Sequence, residues 1–221
     1  MPAAPVSRPR FVILISGQGT NMQAIVDACR RGECPAGIAA VISSRQGAPG
    51  IAWAHSVGIP TQTIAHGDYP SRDAFDAALA AAIDRHAPDF VLLAGFMRVL
   101  TPGFVQHFRG RLINVHPSLL PSFPGLHTHA QALATGVQVH GCTVHFVTPL
   151  LDHGPIIAQG VVSVMSADRP ETLASRLLKV EHIVYPRVAT WLAEGRVHLT
   201  ADQRVVVDGV DSRLFFLEQR T

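Results

Sequence analysis

The sequence predicts an open, mostly parallel, twisted α/β sheet with helices on both faces and antiparallel strands toward one edge. In the first half of the 221-residue chain, short apolar runs alternate with longer segments of helical periodicity. This alternation is typical of successive strand–helix–strand units, which build a parallel sheet. In the second half, strand-like segments follow one another directly. We therefore expect antiparallel pairing there.

Four strands and three helices are expected before residue 95. Residues 11–15 form a continuous apolar run, typical of a strand that is buried on both faces. Apolar side chains recur at helical spacing over residues 21–31, and Gly32 ends that helix. Ser71 can cap an alanine-rich helix that ends near residue 86. The other elements of this half are strands at residues 38–43, 61–64 and 89–94 and a helix at 48–57.

The second half begins with a short helix at residues 102–108, a strand at 111–115 and a helix at 127–135, which Gly136 ends. Two longer strands are expected at residues 139–147 and 155–164, joined by a turn that contains Asp152. A long helix then runs over residues 170–194 and stops at Gly195. The last elements are the two strands of a terminal hairpin, at residues 196–200 and 205–207.

Composition points to one globular, cytoplasmic domain. Hydrophobic residues make up 48% of the chain and charged residues 15%, which argues against disorder. A net charge of +2 is too small to indicate nucleic acid or an anionic membrane as partner. The three cysteines form no CxxC pair, which suits a reducing compartment. Residues 1–9 are expected to be a flexible tail and residues 10–221 a single domain, as a monomer or homodimer that binds small molecules.

A glycine-containing loop follows the first strand directly, with the sequence Ser-Gly-Gln-Gly-Thr-Asn over residues 16–21. Glycines allow a phosphate to approach the backbone closely, and the start of the next helix supplies N–H groups and a positive dipole end. Neither a GxGxxG pattern nor a Walker A lysine is present. The loop therefore favours a single phosphomonoester over a dinucleotide or nucleoside triphosphate. A tight turn that merely caps a helix would have a similar sequence.

Three polar residues fit acyl transfer to an amine without a protein nucleophile. Asn114 and His116 lie two residues apart on a predicted strand, so their side chains share a face. An amide can donate to a carbonyl oxygen, and an imidazole can donate or exchange protons near neutral pH. Asp152 lies in a turn further along the chain. The alternative is that these residues have structural roles. Asn114 and His116 would then merely end a strand before a proline-rich loop, and Asp152 would bind the backbone of its own turn.

Other candidates are less specific. Histidines cluster in the middle of the chain, but neither an HExxH motif nor a cysteine pair accompanies them, so no metal is expected. Arg72 and Arg98 could each grip a carboxylate or a phosphate, or be ordinary surface residues. Residues 97–100 follow a strand end, and their backbone could line an apolar slot for a flat heterocycle.

Five segments together resemble the phosphoribosylglycinamide formyltransferase family: residues 15–21, 94–98, 114–129, 140–145 and 151–155. The resemblance runs from about residue 10 to residue 200, and its most specific block is 114–129. It implies a Rossmann-like sheet of the formyltransferase fold. It also implies transfer of a formyl group from 10-formyltetrahydrofolate, a cosubstrate that is not tightly bound, to the amine of glycinamide ribonucleotide in de novo purine biosynthesis. The N-terminal half would bind the nucleotide, and the C-terminal half would bind folate and carry catalysis.

The resemblance also implies roles, position by position. Asn114, His116 and Asp152 would be catalytic: the first two would donate to the oxyanion, and Asp152 would keep His116 charged and assist proton transfer. The ribonucleotide would contact Gly19, Thr20, Asn21 and Glu181. The formyl-folate would contact Arg72, Met97, Arg98, Val99, Leu100, Asn114 and Asp152. One departure stands out, because His153 occupies a position where a small residue is expected.

Three alternatives remain open from the sequence. A 10-formyltetrahydrofolate hydrolase would usually carry an added N-terminal domain, and a methionyl-tRNA formyltransferase an added C-terminal domain with a basic surface. We expect neither, given 221 residues and a net charge of +2. A non-catalytic sugar-phosphate-binding protein would need the loop at residues 16–21, but not Asn114, His116 and Asp152 together.

Overall fold

The computed structural model describes residues 8–217. Its strands are β1 (Arg10–Ile15), β2 (Gly37–Ser43), β3 (Thr61–Thr63), β4 (Phe90–Leu93), β5 (Leu112–His116), β6 (Val139–Phe146), β7 (Ile156–Ser163), β8 (Val197–Leu199), β9 (Val205–Val207) and β10 (Leu214–Phe216). Its α-helices are α1 (Thr20–Arg30), α2 (Pro49–Ser56), α3 (Arg72–Asp84), α4 (Pro102–His107), α5 (Thr128–Thr135) and α6 (Pro170–Ala193). A short 3-10 helix lies at His66–Asp68.

Eight strands form the main sheet, in the order β10-β7-β6-β5-β4-β1-β2-β3. Strand β6 runs antiparallel to both β5 and β7, and the other neighbours in this sheet are parallel. The predicted fold class is therefore confirmed, with the antiparallel pairs toward the β10 edge. The predicted terminal hairpin is a separate two-stranded sheet of β8 and β9. Strand β10 was not predicted, because three residues carry no periodicity and pairing with β7 defines them.

Helices cover both faces of the sheet, as the apolar pattern of β1 requires. Phe11, Ile13 and Ile15 pack into one core with α1 and α6. Val12 and Leu14 point to the opposite face and pack with α3 and α4. Because side chains alternate along a strand, a continuous apolar run places apolar side chains in the cores on both faces of the sheet. All five of these side chains are fully buried.

The connections reverse direction at β1, which has β2 on one side and β4 on the other. In open α/β sheets, such a reversal leaves a crevice outside the carboxyl ends of the two strands. The loops that follow β1 and β4 meet at this crevice, and the end of β5 lies beside them. The glycine-containing loop also packs directly on α2, since the Gly50 N–H donates to the Gly17 carbonyl at 3.1 Å. A side chain at residue 50 would lie 2.6 Å from Ile15 Cδ1.

The N-terminal tail was predicted at residues 1–9, and residues 1–7 lie outside the described part of the chain. By residue 9 the backbone already joins the sheet, since the Pro9 carbonyl accepts the N–H of Gly37 at 2.8 Å. Over residues 8–217, none of the helices has both the length and the apolar character needed to cross a membrane.

Candidate active site

The last residues of β5 carry two of the predicted catalytic side chains. Asn114 is half-buried, and His116 is 5% exposed. Both occupy the face that was predicted from their two-residue spacing, since the strand continues through His116 without a break. The proline-rich loop at residues 117–125 follows immediately and covers this end of the strand.

The structure brings Asp152 to His116 across a separation of 36 residues in sequence. His116 Nδ1 lies 3.4 Å from Asp152 Oδ2, and both side chains are largely buried. The other ring nitrogen, Nε2, lies 3.0 Å from the Phe123 carbonyl. Because a carbonyl only accepts hydrogen bonds, Nε2 carries the proton in that contact. A second proton on Nδ1 would complete an ion pair with Asp152.

Asp152 also holds the proline-rich loop. Its Oδ2 accepts the Gly125 N–H at 2.8 Å. The backbone at Asp152 has a φ of +51°, in the left-handed region that Asp and Asn tolerate better than most residues. This aspartate therefore binds backbone well beyond its own turn. One carboxylate joins the imidazole of His116 to a loop 27 residues away.

Side chains from the antiparallel strands fix the rest of the loop. Thr143 on β6 donates to the Ser118 carbonyl at 2.7 Å and accepts the Leu120 N–H at 3.0 Å. Gln159 on β7 donates to the Leu120 carbonyl at 3.0 Å and to Thr143 Oγ1 at 2.9 Å. The loop over the end of β5 is therefore held by buried hydrogen bonds, not only by its prolines.

His145 contacts a predicted catalytic residue, although the sequence did not single it out for that role. Its Nδ1 lies 2.9 Å from the Phe146 carbonyl and so donates to it, which leaves Nε2 to accept from Asn114 Nδ2 at 3.3 Å. Burial lowers the pKa of His145, against smaller opposing effects of the Phe146 carbonyl and Asp152, so the neutral form is favoured. This contact fixes the Asn114 amide and leaves one of its N–H groups for another acceptor. His145 reaches Asn114 because the register of β5 and β6 places the two residues opposite each other. The spacing of residues in the sequence does not determine this register.

The predicted ribonucleotide residues meet at the other side of the crevice. Gly19 has a φ of +70° and precedes α1, whose first N–H groups have no partner within the helix. Thr20 opens the helix. Asn21 Nδ2 donates to Glu181 Oε2 at 2.6 Å, and each of these two residues is 8% exposed. Burial raises the pKa of Glu181, although the bond from Asn21 opposes this. Asn21 Oδ1 is buried without a hydrogen-bond partner.

We predict that Glu181→Gln stabilises the protein at neutral pH. A carboxyl with a raised pKa in the folded state favours folding while it is protonated, and this contribution is lost as pH rises through that pKa. A glutamine escapes this loss, and its amide can donate to the orphaned Asn21 Oδ1. The gain in the free energy of unfolding, on the order of 1 kcal/mol, should be larger at pH 8 than at pH 5. Urea unfolding at the two pH values measures it, and an equal change at both would contradict the prediction.

Apart from Asn114 and Asp152, the predicted folate residues lie on the loop after β4 and at the start of α3. Met97, Arg98 and Val99 are exposed, and Leu100 is half-buried. Arg72 is the first residue of α3 and is exposed. One turn later on the same helix, Asp76 Oδ2 accepts the Thr101 N–H at 2.6 Å. The start of α3 is therefore held against the end of the loop, and the two groups of predicted folate residues share one rim.

His153 lies on the other side of the Asp152 turn. It is exposed and lines a cavity of about 740 Å³ together with the β8–β9 hairpin and Arg213. Within residues 8–217, no group of three or more His, Cys, Asp or Glu side chains is arranged to hold a metal ion.

Comparison with known proteins identifies relatives of the whole arrangement. A family model described as "Formyl transferase" matches residues 9–189. Phosphoribosylglycinamide formyltransferase of Escherichia coli is 48% identical over 189 residues, covering 86% of this chain and 89% of that protein. A crystal structure of glycinamide ribonucleotide transformylase 1 from Symbiobacterium toebii superimposes with a TM-score of 0.87 at 46% identity, covering 90% of this chain and 94% of that chain.

Two further relatives mark the breadth of the similarity. The trifunctional purine biosynthetic protein adenosine-3 of Drosophila pseudoobscura is 44% identical over 88% of this chain, which spans only 14% of that larger protein. A formyltetrahydrofolate deformylase from Pseudomonas putida superimposes with a TM-score of 0.82 at 32% identity, covering 93% of this chain and 72% of that one. The relatives therefore include enzymes named for formyl transfer and one named for deformylation.

Proposed function

The chain belongs to the formyl transferase family, and from that premise we propose that it is a phosphoribosylglycinamide formyltransferase of purine biosynthesis. It transfers the formyl group of 10-formyltetrahydrofolate to the amine of glycinamide ribonucleotide. The observation that carries this proposal is the meeting of His116 and Asp152 at 3.4 Å, on the same strand end as Asn114. High identity to the Escherichia coli enzyme over 86% of the chain supports it.

The ribonucleotide binds at the loop after β1. Its phosphate lies at Gly19, Thr20 and Asn21, where the N-terminus of α1 presents N–H groups and the positive end of the helix dipole. Glu181 faces the ribose side, and its 2.6 Å bond with Asn21 supports a common site for the two residues. The substrate amine then extends toward the end of β5, which lies next to β4 in the sheet.

The formyl-folate binds on the opposite rim of the crevice. Its flat ring lies along the loop that follows β4, at Met97, Arg98, Val99 and Leu100. The backbone of such a loop can bind a heterocycle edge-on. Arg72 is positioned to pair with a carboxylate of the cosubstrate. Asn114 and Asp152 contact the formyl end.

Chemistry begins when the amine attacks the formyl carbon, which places a negative charge on the formyl oxygen. The remaining N–H of Asn114 donates to this oxyanion, since its other N–H is held by His145. His116 donates as well. Its Nε2 lies 3.0 Å from the Phe123 carbonyl oxygen, so donation from Nε2 to the oxyanion requires that bond to be shared or exchanged. Asp152 stabilises the imidazolium and helps to carry the amine proton toward the leaving folate nitrogen.

We also propose that residues 10–221 act as one domain. The N-terminal half supplies the ribonucleotide loop, and the C-terminal half supplies the catalytic residues. The main sheet contains strands from both halves of the chain, which supports a single domain.

A coupled assay tests the proposed function. The protein is incubated with 10-formyltetrahydrofolate and glycinamide ribonucleotide, deformylated folate is followed by absorbance, and the formylated ribonucleotide is identified by mass spectrometry. We expect both products in equal amounts. Deformylated folate without formylated ribonucleotide would instead indicate a hydrolase, the activity that the Pseudomonas putida relative is named for. Calorimetric binding of the ribonucleotide without any turnover would indicate a sugar-phosphate-binding protein.

A further inference from the structure

A single buried hydroxyl lies between the two rims of the crevice. Ser16 is the residue after β1 and is 3% exposed. Its Oγ accepts the N–H of Met97 at 2.8 Å and shares a hydrogen bond with Ser44 Oγ at 2.7 Å. Ser44 follows β2 and is fully buried. The hydroxyl of Ser16 therefore has partners on two other loops, and the mechanism above does not use it.

The hydrogen bond between Ser16 and Met97 joins the two loops that are proposed to bind the substrates. Ser16 is the first residue of the loop at residues 16–21, which is proposed to bind the ribonucleotide phosphate. Met97 is the first of the four residues in the loop after β4 that are proposed to bind the formyl-folate. The bond between them crosses the point where the strand order reverses, between the ends of β1 and β4. It is a direct hydrogen bond from one substrate loop to the other.

The folate loop has a second anchor, and this one does not reach the ribonucleotide. At its far end, the Thr101 N–H donates to Asp76 Oδ2 at 2.6 Å, and Asp76 is 3% exposed. Asp76 belongs to α3, which packs on the sheet face opposite α1. The folate loop is therefore held at both ends by backbone N–H bonds to buried side chains, Ser16 and Asp76. Of these two residues, Ser16 belongs to the ribonucleotide loop and Asp76 does not.

We propose that Ser16 is a positioning residue that couples the two substrate sites. This inference rests on the proposed function, because it takes the two loops as the sites of the two substrates. Ser16 is only 3% exposed, so water does not readily replace the Met97 N–H at its Oγ, although Met97 itself is exposed. Displacement of one loop therefore either carries the other with it or costs the buried hydroxyl this hydrogen bond. Ligand that orders the ribonucleotide loop therefore also orders the folate loop. By reciprocity, folate tightens ribonucleotide binding by the same factor.

Calorimetry on the full chain measures this coupling. Glycinamide ribonucleotide is titrated with and without saturating tetrahydrofolate, the deformylated product, so that no turnover occurs. The wild-type protein is expected to bind the ribonucleotide about 5- to 20-fold more tightly when folate is present, within the usual range of site coupling. In Ser16→Ala the ratio is expected to fall to about one.

Asp76→Ala is the matched control, because it removes the other acceptor of the same loop. It should weaken folate binding but retain the wild-type ratio for the ribonucleotide. Steady-state kinetics give a second readout: Ser16→Ala should raise the KM of both substrates, and Asp76→Ala the KM of the formyl donor alone. If Ser16→Ala does not fold, Ser16→Cys keeps a weaker acceptor and should give an intermediate ratio.

Several results would overturn the coupling. These are a wild-type ratio of one, a wild-type ratio retained in Ser16→Ala, or an equal loss of the ratio in Asp76→Ala. None of them bears on the proposed function, which the transfer assay decides separately. Conversely, a coupling that is lost only in Ser16→Ala, in a protein without transfer activity, would support the positioning role and reject the reaction.

Discussion

Asn114→Ala is expected to lower kcat by about 10²–10³-fold, the usual cost of removing one oxyanion donor. The loss should appear in kcat, with little change in either KM, because the bond to the oxyanion forms only as the amine attacks. The side chain is half-buried at the end of β5 and its only hydrogen bond in the described structure is to His145. The substitution should therefore leave the fold intact. Steady-state kinetics of formyl transfer, together with circular dichroism, measure both effects.

Two further variants serve as comparisons for Asn114→Ala. His116→Ala should be similarly inactive, since it removes the second donor and the partner of Asp152. His145→Ala should cost less, because it removes only the group that orients the Asn114 amide and leaves the amide itself in place. A kcat near that of the wild type in Asn114→Ala, from a folded protein, would remove Asn114 from the mechanism.

Asp152→Asn is expected to lower kcat by about 10²-fold or more, as is typical when a group that supports proton transfer is lost. Asparagine is the substitution to use, because it tolerates the positive φ of this position and its carbonyl oxygen can still accept the Gly125 N–H. The loop at residues 117–125 should therefore stay in place. What changes is the negative charge 3.4 Å from His116 Nδ1. The measurements are kcat for formyl transfer and calorimetric binding of the ribonucleotide.

The comparison of kcat with ribonucleotide affinity gives the specific signature. Without Asp152, the His116 imidazole loses its carboxylate partner, so the loss should appear in kcat and not in ribonucleotide binding, to which Asp152 does not contribute. His153→Ala is the matched control from the same turn. Its side chain is exposed and lines the cavity at the β8–β9 hairpin, so kcat should stay within about twofold of wild type. A kcat near that of the wild type in folded Asp152→Asn would sink the proton-transfer role of this carboxylate.

Much of the fold could be predicted because its signals are local. The apolar run of β1, the alanine-rich α3 and the glycines that end the helices act over a few residues. Because β1, β4 and β5 run parallel, the loops that follow them lie at the same edge of the sheet. Asn114 and His116 were visible for the same reason, since a two-residue spacing on a strand fixes a common face.

The features that could not be predicted depend on pairing between distant segments. His145 reaches Asn114 only because β5 and β6 pair in one register, and a shift by a single residue would turn it to the other face. Ser16 is an ordinary residue at a strand end until the fold brings the Met97 N–H to it. Strand β10 exists because β7 offers an edge. None of these partner choices leaves a periodic trace in the sequence.

The hydrogen bond between the Gly125 N–H and Asp152 is also a target for inhibitors. A compound that presents its own acceptor to the Gly125 amide would compete for the hydrogen bond that now ends on Asp152 Oδ2. The carboxylate would then lose its fixed hydrogen-bond donor and be held only by its contact with the imidazole of His116. Such a molecule would need no resemblance to either folate or a nucleotide, so it could discriminate between this protein and the many other enzymes that bind those substrates.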